Sequence, residues 1–313
     1  MSRYVVARLF QGIITLLVAS MLIFGLVRLI GNPAAVVLPE DATQAEVDAM
    51  SKYLGLDKPL PEQYWLFISR LAQGDWGQSI VFKRPVMGLV RERFPATLKL
   101  AFAAALVSLL CALPVGVLAS LKRSRWQDKI AKGFAIVGQS MPGFWLGILL
   151  IQFFAVEFRL LPPGGYGDGG IINWILPAAC LGYHSTAGVL RLTRSSMLEI
   201  LGSDFVRLAR IKGVPEKLVI WKHAFRNALI PVVTFGAIIY THMLMGSVIT
   251  ETVFAWPGVG RLAYESIRHR DYTLIQGVII LFIALYVVVN LTVDILYCVM
   301  DPRVRLGRIG SKS

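Results

Sequence analysis

Six stretches of this chain are long and apolar enough to belong inside a lipid bilayer. They cover roughly residues 9–30, 96–121, 133–158, 174–195, 229–250 and 274–298. A helix needs about 20 apolar residues to cross the hydrocarbon layer. Lipid offers no partner for a bare N–H or C=O, so spans of this kind are helical. The sequence therefore predicts an all-α polytopic membrane protein with six transmembrane helices. Its 56% hydrophobic content and mean hydropathy of +0.63 agree. The first run, Leu9 to Val27, is longer than the roughly 7–15 residues of a signal-peptide core, so it reads as a retained helix. The three cysteines, Cys111, Cys180 and Cys298, each fall in an apolar segment and are expected to be small buried packing residues.

The net charge of +13 does not point to nucleic acid, because the cations sit in short loops between apolar runs. With both termini in the cytoplasm, 19 Lys and Arg residues fall on the inside, and the outside loops carry fewer. That is the bias expected of cytoplasmic loops, so both termini are placed inside. The long outside segment, about residues 31–94, exceeds a mere connector. It predicts a helix capped reciprocally by Thr43 and Glu46, then a second over KPLPEQYWLFISRLAQG. Trp65, Phe67, Trp76 and Phe82 are candidates for the membrane interface.

The stretch from Gly202 to Pro231 is basic, polar and hinged, between nearly pure hydrocarbon on either side. Its pattern is helix, glycine, proline, helix. Gly213 can take the left-handed conformation that ends a helix, and Pro215 can open the next. Such a hinged pair on the cytoplasmic side has the form of a docking element. Its candidate residues are Arg207, Ala209, Arg210, Gly213, Val214, Pro215, Glu216, His223, Asn227 and Pro231.

In the second span Ala104, Ser108, Ala112, Gly116 and Ser120 recur every four residues. Small residues let helix backbones approach closely in lipid, so this face is expected to pack on another helix, in this chain or in a partner. Polar residues within spans are costly and mark candidate pathway positions. They are Gln139, Ser140 and Pro142 at an expected kink, His184, Thr241 and His242. Asn290 and Asp294 share a face of the last span, where structural clamping is the expected role. After the fifth span, Phe254 and Trp256 suit the interface and Pro257-Gly258 marks a turn. With Glu251 and Gly260 they define a segment expected to dip toward the outer mouth of a pathway, or else to anchor at the interface. The sequence lacks a GxxxxGK[ST] phosphate loop, HExxH and GxSxG, so no enzyme is expected, and no Cys/His cluster suggests a metal.

The motifs LGLDKPLPEQY (54–64), GDWGQS (74–79), RFPATLKLA (93–101), MPGFWLGILL (141–150) and LPPGGYG (161–167) occur in order along the chain. They are followed by ARIKGVPEKLVIWKHAFRNALIP (209–231), ETVFAWPGVGRL (251–262), RDYTLIQG (270–277), NLTVDILY (290–297) and DPRVR (301–305). With these the chain resembles, over nearly its whole length, the permease subunits of bacterial ABC importers for dipeptides, oligopeptides and nickel. It departs from the general pattern at Arg207-Leu208-Ala209, where the docking loop usually has Glu-Ala-Ala. It departs again at Ile30-Gly31-Asn32-Pro33, where Pro-Gly-Asp-Pro is usual.

The resemblance implies a type I ABC importer transmembrane fold. It implies a first helix and extracytoplasmic loop over 1–94, five core helices over 95–298 and a cytoplasmic tail over 299–313. It also implies a multi-pass protein of the bacterial inner membrane, one of two homologous permease subunits lining a pathway. Two cytoplasmic ATPase subunits or domains would bind the ATP and Mg, and an extracytoplasmic binding protein would deliver the solute. This chain would hold no cofactor of its own. Peptides are the expected solute, with nickel or another metal chelate, glutathione or an opine as alternatives. A stand-alone secondary transporter and a membrane scaffold are the competing classes, although the chain shows no internal repeat of the kind such carriers often have.

Overall fold

A computed structural model describes residues 2–30, 43–53, 55–167 and 170–300. Among them the architecture is helical, with one isolated β-bridge between Gln78 and Pro85. The chain divides into two compact units, Met1–Pro95 with Arg261–Ser313, and Ala96–Gly260.

In the first unit, α1 (Ser2–Ile30) runs along α12 (Tyr272–Met300), which follows the short helix α11 (Val259–Arg268) in the chain. Gly12 permits this approach, since a Cβ there would lie 2.6 Å from Val287 Cγ1. Ile23 and Val27 of α1 form a buried cluster with Tyr272 and Ile280 of α12. The long segment after α1 supplies α2 (Gln44–Tyr53) and α3 (Leu60–Ala72). The reciprocal cap of α2 forms: the Thr43 N–H donates to Glu46 Oε2 at 2.8 Å, and the Glu46 N–H to Thr43 Oγ1 at 3.4 Å. The Thr43 N–H, and the Thr43 hydroxyl at 2.9 Å, both donate to the Glu46 carboxyl and hold it below its ordinary range. Asp271, fully buried, caps α12 through the Leu274 N–H at 3.1 Å. Its second oxygen accepts from Ser79 Oγ and from the Val81 N–H, which ties the long loop to the start of the last span.

In the second unit, α7 (Ile172–Leu201) is the central helix. It packs on α5 (Trp126–Ser140), α6 (Gly143–Leu150) and α10 (Arg226–Val253). Helix α4 (Val86–Leu121) is long and apolar enough to cross a membrane, as are Val6–Leu29, Glu216–Met245 and Tyr272–Val293. Helix α7 falls outside that group because it carries Arg191, Arg194 and several hydroxyls. The polar residues are tolerated because one side of the helix is buried among its neighbours.

The third span differs from the expected kinked helix over 133–158. Helices α5 and α6 meet at a corner of 108° between Trp126–Ser140 and Gly143–Glu157, the latter ending in a π-helical turn over Ile151–Glu157. Met141 and Pro142 are both extended, with ψ of 122° and 134°. The reason is local: a proline pushes the residue before it out of the helical region and cannot donate to the preceding turn.

The cysteines also divide. Cys180 is buried, but Cys111 is exposed, because it lies beside the buried small-residue face of α4 and not on it. The side chains of Cys298 and Asp294, Gly31 to Pro33 and the tail 301–313 lie outside the described residues. Asn290 donates to its own helix, to the Tyr286 carbonyl at 3.0 Å.

Candidate functional site

The basic hinge is built from α8 (Asp204–Ile211), the single turn α9 (Glu216–Leu218) and a π-helical turn over Val219–Phe225 that runs unbroken into α10. Gly213 has φ +76°. Its N–H donates to the Arg210 carbonyl at 3.0 Å, and the Val214 N–H reaches back to the Ala209 carbonyl at 3.1 Å. These two bonds form the Schellman closure of α8. A Cβ on Gly213 would meet nothing within 4 Å, so the backbone conformation, not space, calls for glycine. Pro215 then caps α9, and the Leu218 N–H donates to its carbonyl at 2.8 Å. Across the hinge, Arg210 Nη2 and Nε grip both oxygens of Glu216 at 2.7 and 3.1 Å.

The second helix of the expected pair is therefore the beginning of the apolar span Glu216–Met245. Val219 and Ala224 are fully buried, so the chain has no polar stop there. Ala224 and Ala228 join a buried cluster with Val117 of α4 and Met197 of α7. Val206 anchors α8 inward, whereas Phe205, Leu208 and Ile211 are exposed. Arg207 is exposed and Ala209 half-buried. His223 is half-buried and its carbonyl accepts from Asn227 Nδ2 at 2.6 Å, while Pro231 lies exposed within α10. The element thus presents an apolar face rimmed by charge, fastened to the membrane helices on its other side.

The small-residue face of α4 lies against α7 of the same chain. Ala104, Ser108, Ala112 and Ser120 are buried. A Cβ on Gly116 would come within 2.8 Å of Thr193 Cβ and 3.0 Å of the Leu190 carbonyl oxygen. A Cβ on Gly182 of α7 would come within 2.7 Å of the Ala104 carbonyl oxygen. Glycines on both helices therefore set the approach. Gly116→Leu is expected to destabilise this packing by about 1–3 kcal/mol, seen as a lower thermal midpoint in detergent. An unchanged midpoint would remove the close contact. Among the described residues Ser108 Oγ has no hydrogen-bond partner, and it borders an apolar groove of about 410 Å³, lined also by Phe102, Val189, Val232 and Tyr240.

Of the other pathway candidates, Gln139 accepts from Arg191 Nη1 at 2.7 Å, linking α5 to α7. Ser140 Oγ donates to the Ile136 carbonyl at 3.0 Å and so serves its own helix end. Ser140 and Pro142 border a shallow depression with Phe144 and Trp145 at the corner. His184 and His242 are exposed and Thr241 is buried.

Near these lies a residue that the sequence reading passed over. Asp128 is fully buried. It accepts from Arg194 Nε and Nη2 at 2.6 and 3.0 Å, from the Ser124 N–H at 3.0 Å and from Lys132 at 3.1 Å. The available signal was a lone acid in a loop of five cations, which has no reason to be there unless it is paired.

The segment after α10 departs from expectation. Phe254 and Trp256 do not face the interface: both are fully buried, as are Val259 and Leu262. Burial is possible because the indole N–H donates to the Ala96 carbonyl at 3.0 Å. Its ring meets Tyr166 and Trp174 edge-on, with centroids 4.9 and 6.0 Å away. Glu251 is fully buried and accepts from Thr97 Oγ1 at 2.8 Å. The same Thr97 oxygen accepts from the Val259 N–H at 2.8 Å. A Cβ on Gly258 would overlap the Glu251 carboxylate, and one on Gly260 would lie 2.7 Å from Val248 Cα. Glu251, Trp256, Gly258 and Gly260 thus form one close-packed strap, with half-buried Pro257 at its turn. Thr97 is the residue the sequence did not single out.

Two family models match the chain. Residues 112–306 match the binding-protein-dependent transport system inner membrane component, and residues 1–101 match the N-terminal part of that membrane component. The glutathione transport system permease protein GsiC of Escherichia coli is 40% identical over 306 residues, 97% of this chain and 99% of its own length. The protein of the same name from Pectobacterium atrosepticum is also 40% identical over 306 residues, with the same coverage. Among solved structures, the inward-facing MetNI methionine ABC transporter aligns with a TM-score of 0.58 at 20% identity, over 69% of this chain and 97% of that one. An amino acid ABC transporter with histidines aligns with a TM-score of 0.52 at 21% identity, over 69% of this chain and 94% of that one.

Proposed function

The chain belongs to the family of inner membrane components of binding-protein-dependent transport systems, and from that premise we propose that it is half of an ATP-driven pathway for glutathione or another short peptide. It is the permease subunit of an ABC importer. A second homologous permease would complete the pathway, and two cytoplasmic ATPase subunits would hold the ATP and Mg. An extracytoplasmic binding protein would present the solute, and both termini would lie in the cytoplasm.

The observation that carries this reading is the hinged element at Gly213. Its exposed Phe205, Leu208 and Ile211 offer an apolar key, and its other side continues as α10. A docked ATPase that moved α8 would act on that helix directly. Peptide-like solutes are favoured because the full-length relatives named above carry the name glutathione transport system permease. The test is uptake of labelled glutathione, a dipeptide and a nickel chelate by cells lacking this chain and by cells carrying it. Restoration of glutathione or dipeptide uptake, dependent on the ATPase genes, is the expected result. Restoration of the nickel chelate alone would replace the solute assignment, and uptake without the ATPases would overturn the mechanism.

A further inference from the structure

Helix α3 has two apolar faces. The inner one, with Tyr64, Phe67 and Leu71, is occupied: Phe67 and Leu71 pack on the cluster of α1 and α12, and Tyr64 meets Phe24 edge-on at 5.3 Å. Beside it runs a second stripe of Pro61, Trp65, Ile68 and Ala72, at the i, i+4, i+7, i+11 spacing of one helix face. Trp65 on this stripe is 71% exposed. Glu62, Gln63, Ser69 and Arg70 share the remaining arc with Leu66, whose side chain lies beside Gly55.

What covers the stripe follows from the level at which α3 is fastened. Tyr64 Oη bonds Ser20 Oγ at 2.8 Å, and Arg28 Nε donates to Gln63 Oε1 at 2.8 Å. The apolar span of α1 extends from Val6 to Leu29. At about 1.5 Å of rise per residue, Ser20 lies about 13 Å and Phe24 about 7 Å short of Leu29. Helix α3 is thus held beside the last turns of the span, not beyond its end. Over the same turns Leu22, Leu26 and Leu29 are exposed, apolar side chains of the kind a span offers to lipid. Amphipathic helices at the interface sink about 5–10 Å toward the acyl chains, and tryptophan is enriched at that level.

We propose that α3 is embedded in the bilayer, with its Trp65–Ile68 stripe against phospholipid acyl chains in the leaflet at the C-terminal end of α1. That leaflet is the outer one in the orientation proposed above; the depth itself requires only that α1 crosses the membrane. The partner of this surface is lipid, not the binding protein. Among the described residues the Arg28 guanidinium folds back one turn along α1, 3.4 Å above the Phe24 ring, and bonds Gln63 Oε1 and the Phe24 carbonyl.

The test uses single nitroxide labels at positions 62, 65, 68 and 69, after Cys111, Cys180 and Cys298 are replaced by alanine. The full chain with its partner subunits is reconstituted in vesicles of phosphatidylethanolamine and phosphatidylglycerol. Collision with oxygen, relative to a water-soluble nickel chelate, is expected to be several-fold higher at 65 and 68 than at 62 and 69. Nickel-dominated collision at 65 and 68 would put the stripe in water. Weak collision with both reagents would put it under protein, and either result overturns the proposal. A label-free measurement guards against misfolded variants. The emission lost in Trp65→Phe should be quenched by brominated acyl chains more strongly than the protein's total emission, and equal quenching would also count against embedding.

Discussion

Gly213→Val is expected to abolish ATP-driven uptake while the protein still reaches the membrane. The left-handed conformation costs an L-residue about 1–2 kcal/mol, and a β-branched side chain tolerates it worst. Because the surroundings of Gly213 are open, valine meets no wall and can relieve the strain by moving the backbone. That movement breaks the two hydrogen bonds that close α8 and separates Arg210 from Glu216. Insertion depends on the apolar spans and is unaffected. Membrane content by immunoblot and solute uptake in the same cells separate the two effects. Gly213→Asn, which accepts the left-handed region more readily, should retain much of the activity. Wild-type uptake by the valine variant would mean that the geometry of the hinge is immaterial to transport.

The second large effect is at Asp128. Removing one member of a buried ion pair typically costs about 3–5 kcal/mol, because the other is left buried without its partner. Asp128→Ala strands Arg194, which is 18% exposed at its side chain, and releases Lys132 and the Ser124 N–H. The expected outcome is a sharply lower thermal midpoint in detergent and a reduced amount of protein in the membrane. Asp128→Leu combined with Arg194→Met removes both charges and should recover most of the loss, since neither member of the pair is then left without its partner. If the double variant were as unstable as the sum of the singles, the pair would not be coupled and the clamp between α5 and α7 would need another origin.

How much of this was legible beforehand depended on the kind of signal. Periodicity carried far. The four-residue recurrence from Ala104 to Ser120 marked a packing face, and Gly213 with Pro215 marked a hinge, because small residues and left-handed turns are properties of single positions. The reciprocal cap at Thr43 and Glu46 was equally local. Pairings between distant positions were not readable. Thr97 meets Glu251 across 154 residues, and Asp271 meets Ser79 across 192. The aromatic residues Phe254 and Trp256 illustrate the ambiguity: an amphipathic indole suits an interface or a core equally, and the Ala96 carbonyl that decides the matter is remote in sequence. Pro142 announced a bend, but its angle depends on two extended residues in a row, and the sequence constrains only Met141 in that way.

The unbroken course from Glu216 through the π-helical turn to Val253 has a mechanical consequence. At about 1.5 Å per residue this rod is about 57 Å long. One end is tied by Arg210 to the hinged α8, and the other delivers the chain directly into the strap that encloses Glu251. A rotation of about five degrees about one end of such a rod displaces the other by about 5 Å. That is comparable to one full turn of helix. The glycines at 258 and 260 leave no slack around the Glu251 carboxylate, so the strap cannot absorb a displacement of that size by compression. On the proposed function, an ATPase that tilted this helix from its α8 end would therefore have to carry the strap along or open it.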